Sequence, residues 1–324
     1  MFDDKVILIT GGTGSFGRKC AEVLLTRFSP TKVIIFSRDE LKQFEMAQQF
    51  GQYDNIRFFL GDVRDRSRLD RAFSGVDVVI HAAALKQVPA AEYNPFEVIK
   101  TNIVGAQNVI DAAIDCHVDR VLALSTDKAA SPINLYGATK LCSDKLFVAG
   151  NAYVKDPGTR FSVVRYGNVL GSRGSVIPFF RERLKTGVLP VTDPRMTRFW
   201  ITLEQGVDFV LNCLQAMVGG ELFVPKLPSM NIMDLARAMG PDCRIETVGI
   251  RPGEKLHEVM IPRDEARNTV EFDDHFVIKP AFRFFERRFN HEAGRPVAED
   301  FEYNSRDNDR WLSGEQLKQM IETL

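Results

Sequence analysis

Six short runs rich in β-branched and apolar residues, at 5–10, 32–36, 56–60, 76–81, 120–125 and 161–166, alternate with longer amphipathic segments through the first half of the chain. That alternation predicts successive βα units and an α/β fold, a doubly wound parallel sheet. A second observation is the loop Gly11-Gly12-Thr13-Gly14-Ser15-Phe16-Gly17, which follows the first run directly and leads into a helical segment. It makes the sheet one of Rossmann type. The third is length, since 324 residues exceed one domain of ~150. Beyond about residue 169 the alternation loosens. The expected organisation is a nucleotide-binding lobe over 1–168, with 169–324 mainly a smaller C-terminal substrate-binding lobe interleaved with it.

Each element has its own signal. The six runs read as strands buried on both faces, because they are continuously apolar rather than alternating. Segments 16–28 and 102–116 carry apolar residues at helical spacing. The second lobe opens with Gly171-Ser172-Arg173-Gly174, a Pro178 suited to a first helical turn and a proline-bearing stretch at 188–194. Ser313-Gly314-Glu315-Gln316 is a capping box ahead of Leu317, Met320, Ile321 and Leu324, which share one helical face. Segment 281–290 interleaves Phe282, Phe284, Phe285 and Phe289 with Arg283, Arg287 and Arg288, and reads as a docked edge or subunit contact.

Composition narrows the function. Lysine and arginine number 42 against 43 aspartates and glutamates, so a net charge of -1 offers no field for a nucleic acid or an anionic membrane. Five cysteines stand 26 or more residues apart with no C-x-x-C pair, which argues against both a disulfide framework and a metal cage. The start, Met1-Phe2-Asp3-Asp4, lacks the basic region of a signal peptide, and no run reaches the ~18 apolar residues of a membrane helix. A cytoplasmic protein is expected, with a small anionic molecule rather than a polymer as its ligand.

In such a sheet, ligands lie at the carboxyl ends of the strands. The loop residues Gly11, Thr13, Gly14, Ser15, Phe16 and Gly17 are the candidate pyrophosphate cradle, with helix amides as donors. The second strand ends Phe36-Ser37-Arg38, where an NAD site would place an acid. Ser37, Arg38 and Lys42 suit a 2'-phosphate and favour NADP, while Asp39 keeps NAD as the alternative. Asp62 and Val63 after the third strand fit an adenine edge. Ala82, Ala83 and Ala84 after the fourth let a ribose and nicotinamide pass, and His81 reads as a packed histidine.

Tyr136 and Lys140 stand at i, i+4, on one face of a helix. A nearby ammonium and a cationic nicotinamide both favour the phenolate, which makes Tyr136 a candidate base. The fifth run ends Ser125-Thr126-Asp127-Lys128. Thr126 steadies a substrate oxygen. Asp127 becomes an acid if its pKa is raised, and Lys128 a base if its pKa is lowered. An acid, a base and a hydride site in one pocket are what the elimination of water requires.

These residues carry a close resemblance. Thr126-Asp127-Lys128-Ala129-Ala130, Asn134-Leu135-Tyr136-Gly137-Ala138-Thr139-Lys140, Ser37-Arg38-Asp39-Glu40-Leu41-Lys42 and Arg251-Pro252-Gly253-Glu254-Lys255 resemble the inverting UDP-N-acetylglucosamine 4,6-dehydratases of pseudaminic acid biosynthesis, within the extended short-chain dehydrogenase/reductase superfamily. The resemblance spans roughly residues 4–280 and implies Tyr136, Lys140, Thr126, Asp127 and Lys128 as catalytic residues. It adds Lys86 and Asn102 to the NADP contacts. Lys86, Tyr93, Asn168, Arg173, Arg198, Arg251 and Glu254 become the expected contacts of UDP-N-acetylglucosamine, Arg251 and Glu254 foremost. It further implies a homo-oligomer, dimer or hexamer, built on the helices around Asn102 and Tyr136, and no metal. A UDP-hexose 4-epimerase would use the glycine loop, Tyr136 and Lys140 but leave Asp127 and Lys128 without a task. A catalytically idle NADP sensor would need none of the four.

Overall fold

A computed structural model describes residues 1–155, 158–172, 175–282 and 294–322. Arg173 and most of the Arg/Phe-rich segment, from Arg283 onward, lie outside the described residues. Among those described, one ten-stranded sheet organises the chain. Its first six strands are β1 (Val6–Thr10), β2 (Lys32–Ser37), β3 (Ile56–Leu60), β4 (Val78–His81), β5 (Arg120–Thr126) and β6 (Arg160–Tyr166). They run parallel in the order β6-β5-β4-β1-β2-β3. The order reverses between β1 and β4, which opens the crevice where ligands bind in such sheets.

The sheet continues past β6 with Leu222–Pro225, parallel to it, and then Leu222–Pro225 pairs antiparallel with His275–Ile278. Thr269–Glu271 and Arg295–Pro296 finish that edge. The chain therefore returns to the first body after residue 168. Its core includes Val207, Val210, Leu214, Phe223, Val224, Met260 and Val277 beside Ile7, Ile9, Ile35, Val79 and Val121. A second apolar cluster gathers Leu170, Ile177, Phe180, Leu189, Trp200, Met230, Leu235 and Leu317.

Two local expectations are corrected. The run at 56–60 is an edge strand: only Ile56 is buried and Leu60 is exposed, while Phe58 and Phe59 pack half-buried against the main core. The segment from Asn102 is not one regular helix. Short helices α4 (Val88–Tyr93) and α5 (Pro95–Ile99) pass through a π-turn, Lys100–Val104, into α6 (Gly105–Asp115). The earlier helices are α1 (Ser15–Arg27), α2 (Glu40–Gln49) and α3 (Arg66–Phe73), and α7 (Leu135–Gly150) follows β5.

Capping residues explain where several of these start. Asp39 accepts from Lys42 N at 3.0 Å to open α2, and Asn134 accepts from Gly137 N at 2.8 Å to open α7. At the tail the capping box forms in both directions, Gln316 N to Ser313 Oγ at 3.2 Å and Ser313 N to Gln316 Oε1 at 2.9 Å. The helix it opens, Gly314–Glu322, sets Leu317 against the second cluster with Met320 and Ile321. Among the described residues no helix is long and apolar enough to cross a membrane.

Candidate active site

A cavity of about 1050 Å³ runs along the carboxyl ends of β1, β2, β4, β5 and β6 and on between the two apolar clusters. At one end lies the glycine loop. Gly11 sits at a φ of +63°, and a Cβ there would come within 2.9 Å of the Ala83 backbone, so glycine alone lets the loops after β1 and β4 touch. Helix α1 begins after Gly14 with no side-chain cap and no acid in its first turn. Its first amides and positive dipole end are thus left for an anion. Thr13 Oγ1 and Ser37 Oγ, 2.8 Å apart, form the adjoining wall. Gly11, Thr13, Gly14, Ser15, Phe16, Gly17, Ser37, Arg38, Lys42, Asp62, Val63, Ala82, Ala83, Ala84 and Lys86 all line the cavity. An uncapped helix end, small residues beside it and a cationic rim fit a dinucleotide.

Charges at the adenosine end are already partly committed. The Asp39 carboxylate caps α2 and pairs with the Lys42 ammonium. Asp62 accepts from Arg64 N and Nε at 3.0 and 2.9 Å and lies 3.4 Å from Arg38. Its partial burial raises the carboxyl pKa, yet the Arg64 and Arg38 guanidiniums win and hold it below the ordinary range. Asp62 is thereby a partner of arginines while, with Val63, it still lines the cavity.

Asn102 does not line the cavity, contrary to expectation. It is 2 % exposed, takes Leu85 N and gives to Leu85 O, both at 2.9 Å, and gives to Thr139 Oγ1 at 3.0 Å. With its amide fully engaged it positions the loop after β4 against α7. Tyr93 is 87 % exposed and away from the cavity, because the last turn of α4 points it to solvent. His81 is the packed histidine expected: Nδ1 is 2.8 Å from Thr10 Oγ1, and burial with the Lys140 charge lowers its pKa to about 3.

The catalytic candidates converge at the end of β5. Thr126 caps a 3-10 turn, Asp127–Ala129, and α7 returns so closely over it that a Cβ on Gly137 would stand 2.1 Å from the Lys128 carbonyl oxygen. That contact brings Tyr136 and Lys140, 9 % and 3 % exposed, to the cavity beside Ser125, Thr126 and Lys128. Asp127 is the exception. It is wholly buried and does not line the cavity: Oδ1 accepts from Thr126 Oγ1 at 2.9 Å and Lys128 Nζ at 3.1 Å, while Oδ2 has no partner.

Electrostatics give each group a direction. Burial raises the Asp127 pKa; Lys128 opposes this and Glu258 adds to it, which meets the condition set for an acid. The condition set for Lys128 as a base, a lowered pKa, is not met. Burial does act in that direction, but the carboxylates of Asp127 at 3.1 Å and Glu258 at 3.4 Å outweigh it and hold the ammonium well above its usual range. Within the protein alone, burial pushes the Tyr136 phenol up to about 12 against the pull of Lys128 and the neighbouring Thr126 hydroxyl. Burial lowers Lys140, which Asp144 partly offsets. Lys86 is lowered too, by burial and by the Lys128 charge.

Arg251 and Glu254 stand at the far wall, 3.9 Å apart, on a turn whose Gly253 carbonyl accepts from Asn134 Nδ2 at 2.8 Å. Glu254 Oε2 is buried without a partner. Asn168 and Arg198 also line the cavity. Arg198 spends its donors on the carbonyls of Thr197, Leu256 and Lys255, which makes it a brace for the wall rather than a free phosphate fork. Among the lining residues that the sequence reading did not single out are the charged Lys255 and Glu258. The only signal for them was their place in and just past the Arg251-Pro252-Gly253-Glu254-Lys255 stretch. Among the described residues no group of His, Cys, Asp or Glu is arranged to hold a metal ion.

Comparison with known proteins agrees with this architecture. The family model described as "Polysaccharide biosynthesis protein" matches residues 7–280. An inverting UDP-N-acetylglucosamine 4,6-dehydratase of Campylobacter jejuni is 55 % identical over 99 % of this chain and 98 % of its own. A UDP-glucose 4-epimerase of Rickettsia conorii is 41 % identical over 100 % of this chain and 97 % of its own. Among solved structures, Pen from Bacillus thuringiensis superposes with a TM-score of 0.89 at 38 % identity, covering 100 % of this chain and 99 % of that one. With its sheet order, its glycine loop and its Tyr-x-x-x-Lys pair, the chain belongs to the polysaccharide biosynthesis protein family and has the Rossmann fold of the short-chain dehydrogenase/reductases.

Proposed function

We propose that the protein is a UDP-N-acetylglucosamine 4,6-dehydratase that inverts carbon 5, yielding UDP-2-acetamido-2,6-dideoxy-β-L-arabino-hex-4-ulose as the first step of pseudaminic acid biosynthesis. The observation that carries this reading is Lys128, which lines the cavity beside Tyr136 and is paired at 3.1 Å with the buried carboxyl group of Asp127 behind it. An oxidoreductase or an epimerase needs the phenol and the loop; only an elimination employs an acid and a base next to them.

The cradle residues would hold a nicotinamide dinucleotide, which supplies reversible hydride acceptance. NADP is favoured over NAD, because Arg38 and Lys42 line the adenosine end while the Asp39 carboxylate is taken up by the α2 cap and Lys42. At the sugar, Tyr136 first gives its phenol proton to solvent, the Lys128 charge favouring the phenolate, and its Oη then takes the proton of the carbon 4 hydroxyl, with Thr126 holding that oxygen. Lys140 keeps positive charge beneath the phenol. The resulting ketone acidifies the proton on carbon 5.

Lys128 begins as an ammonium, so it must give up a proton before it can act as a base. Asp127 Oδ1, 3.1 Å away on a carboxyl group already inclined to protonate, receives it. A single internal transfer thus creates a neutral amine and a neutral acid together. Nζ of Lys128 then takes the carbon 5 proton. Asp127 returns its proton toward the departing carbon 6 hydroxyl through Thr126 Oγ1, which it touches at 2.9 Å; the hydride taken from carbon 4 would then return to carbon 6, and a proton added to carbon 5 from the opposite face completes the inverted product. Arg251 and Glu254 are assigned to the diphosphate and uridine end.

Incubating the protein with UDP-N-acetylglucosamine in heavy water tests the reading. Mass spectrometry and NMR should find loss of water, with deuterium at an inverted carbon 5. The Rickettsia relative named as an epimerase supplies the competing outcome, an intact hexose changed at carbon 4, which would overturn it.

A further inference from the structure

Behind Lys128 stands a carboxylate with no part in the steps above. Glu258 is 2 % exposed. Its backbone is fixed on both sides, since its N–H donates to Ser305 Oγ at 2.9 Å and its carbonyl accepts from Ser305 N at 2.8 Å. Three cations face its side chain from three parts of the fold. Lys128 Nζ and Arg198 Nε lie 3.4 and 3.6 Å from Oε1, and Lys255 Nζ lies 4.0 Å from Oε2, which has no hydrogen-bond partner.

Two of those cations cannot turn away. Arg198 is tied to three carbonyls, and Lys255 Nζ donates to Ala130 O at 2.6 Å. The two carboxylates flanking Lys128 are therefore unequal. Glu258 has three cations around it, whereas Asp127 has Lys128 and the Thr126 hydroxyl. Other titratable or charged groups near the cluster are Tyr136 and Lys86, which feel Lys128, Arg165, whose charge reaches Lys255, and His257, whose ring is turned to Thr197; Lys255 feels Asp127 as well as Glu258, Glu258 the more strongly.

We propose that Glu258 is a positioning residue: it holds Nζ of Lys128 against Asp127 and, kept as a carboxylate by Arg198 and Lys255, leaves Asp127 as the only flanking acid that exchanges a proton with Lys128. Electrostatics run the same way. Burial raises the Glu258 pKa, but Lys128, Arg198 and Lys255 together take it below the ordinary range, opposite to Asp127.

The proposal rests on the dehydratase reading for its catalytic meaning, and its test separates the two. Competitive labelling of the holoenzyme with acetic anhydride across pH, read at Lys128 by mass spectrometry, reports protonation without turnover. Removing one of two flanking charges in Glu258→Gln should move the Lys128 midpoint down by ~1 pH unit or more. The alkaline limb of kcat/KM for UDP-N-acetylglucosamine should move down with it, KM staying within about twofold. Glu258→Asp, which keeps the charge, should restore most of both. A wild-type labelling midpoint in the folded Glu258→Gln protein would overturn the proposal, as would a midpoint in Glu258→Asp no different from that of Glu258→Gln. If no dehydrated sugar forms but the midpoint still moves, the dehydratase reading fails and the hold of Glu258 on Lys128 stands.

Discussion

In the proposed reaction Tyr136 carries the first chemical step, and burying its phenol sets the terms on which it could do so. A phenol pushed up to about 12 is a poor base alone, so the cations around it decide its use. Tyr136→Phe keeps the ring that packs with Ala91 and Val98 and removes only the hydroxyl. Turnover should fall by roughly 10²–10⁴-fold, while nucleotide-sugar affinity, measured by calorimetry, stays within a few-fold. An equal loss of affinity and rate would instead make Tyr136 a binding residue. At this scale the sequence was informative where chemistry is local. The glycine loop and the Tyr136-Lys140 spacing need only neighbours in the chain. The raised pKa of Lys128 was half legible: its first carboxylate, Asp127, is the preceding residue, whereas its second, Glu258, comes 130 positions later in the sequence.

The element that joins the two ends of the site is the start of α7. Asn134 caps it through Oδ1, and its Nδ2 holds the Gly253 carbonyl in the turn that carries Arg251 and Glu254. One side chain thereby fixes the helix bearing Tyr136 and the loop assigned to the diphosphate. Asn134→Ala should cost about 1 kcal/mol of stability through the lost cap. It should also raise KM for UDP-N-acetylglucosamine several-fold, as the turn loses its anchor. Denaturant melts and steady-state kinetics on the same preparation check both effects; a stability loss with unchanged KM would confine Asn134 to the helix. Elements were readable from periodicity wherever they are regular. Residues 56–60 look interior because Ile56, Phe58, Phe59 and Leu60 are apolar, yet only sheet order reveals an edge. The π-turn at Lys100–Val104 was hidden for a related reason. Its shift of phase serves Asn102, whose three side-chain hydrogen bonds reach Leu85 and Thr139.

Over the whole molecule, a net charge of -1 conceals how unevenly ionisable groups are placed. Several lie inside the central body, where protonation state and fold stability are one question. His81 is the clearest, 1 % exposed between the end of β4 and α7, with its ring centroid 5.3 Å from Phe147. Its folded pKa is lowered to about 3, while the unfolded chain protonates it near ~6.5. Between those values the unfolded state binds the extra proton, so stability falls as pH drops below about 6.5 and the loss is complete near pH 3. The slope approaches ~1.4 kcal/mol per pH unit, large against a stability of about 5–15 kcal/mol. Asp193 and Asp307, both lowered to about 2 by a neighbouring arginine, contribute with the same sign at more acid pH, and the exposed Asp307 responds to salt. His81→Gln removes the buried imidazole and nothing from those pairs. Thermal melts of both proteins from pH 7 to pH 5 should therefore diverge, the wild type losing stability steeply and the variant less so. Parallel curves would mean that His81 takes up its proton inside the fold, and that the contact of Thr10 Oγ1 with Nδ1 does not require the neutral ring.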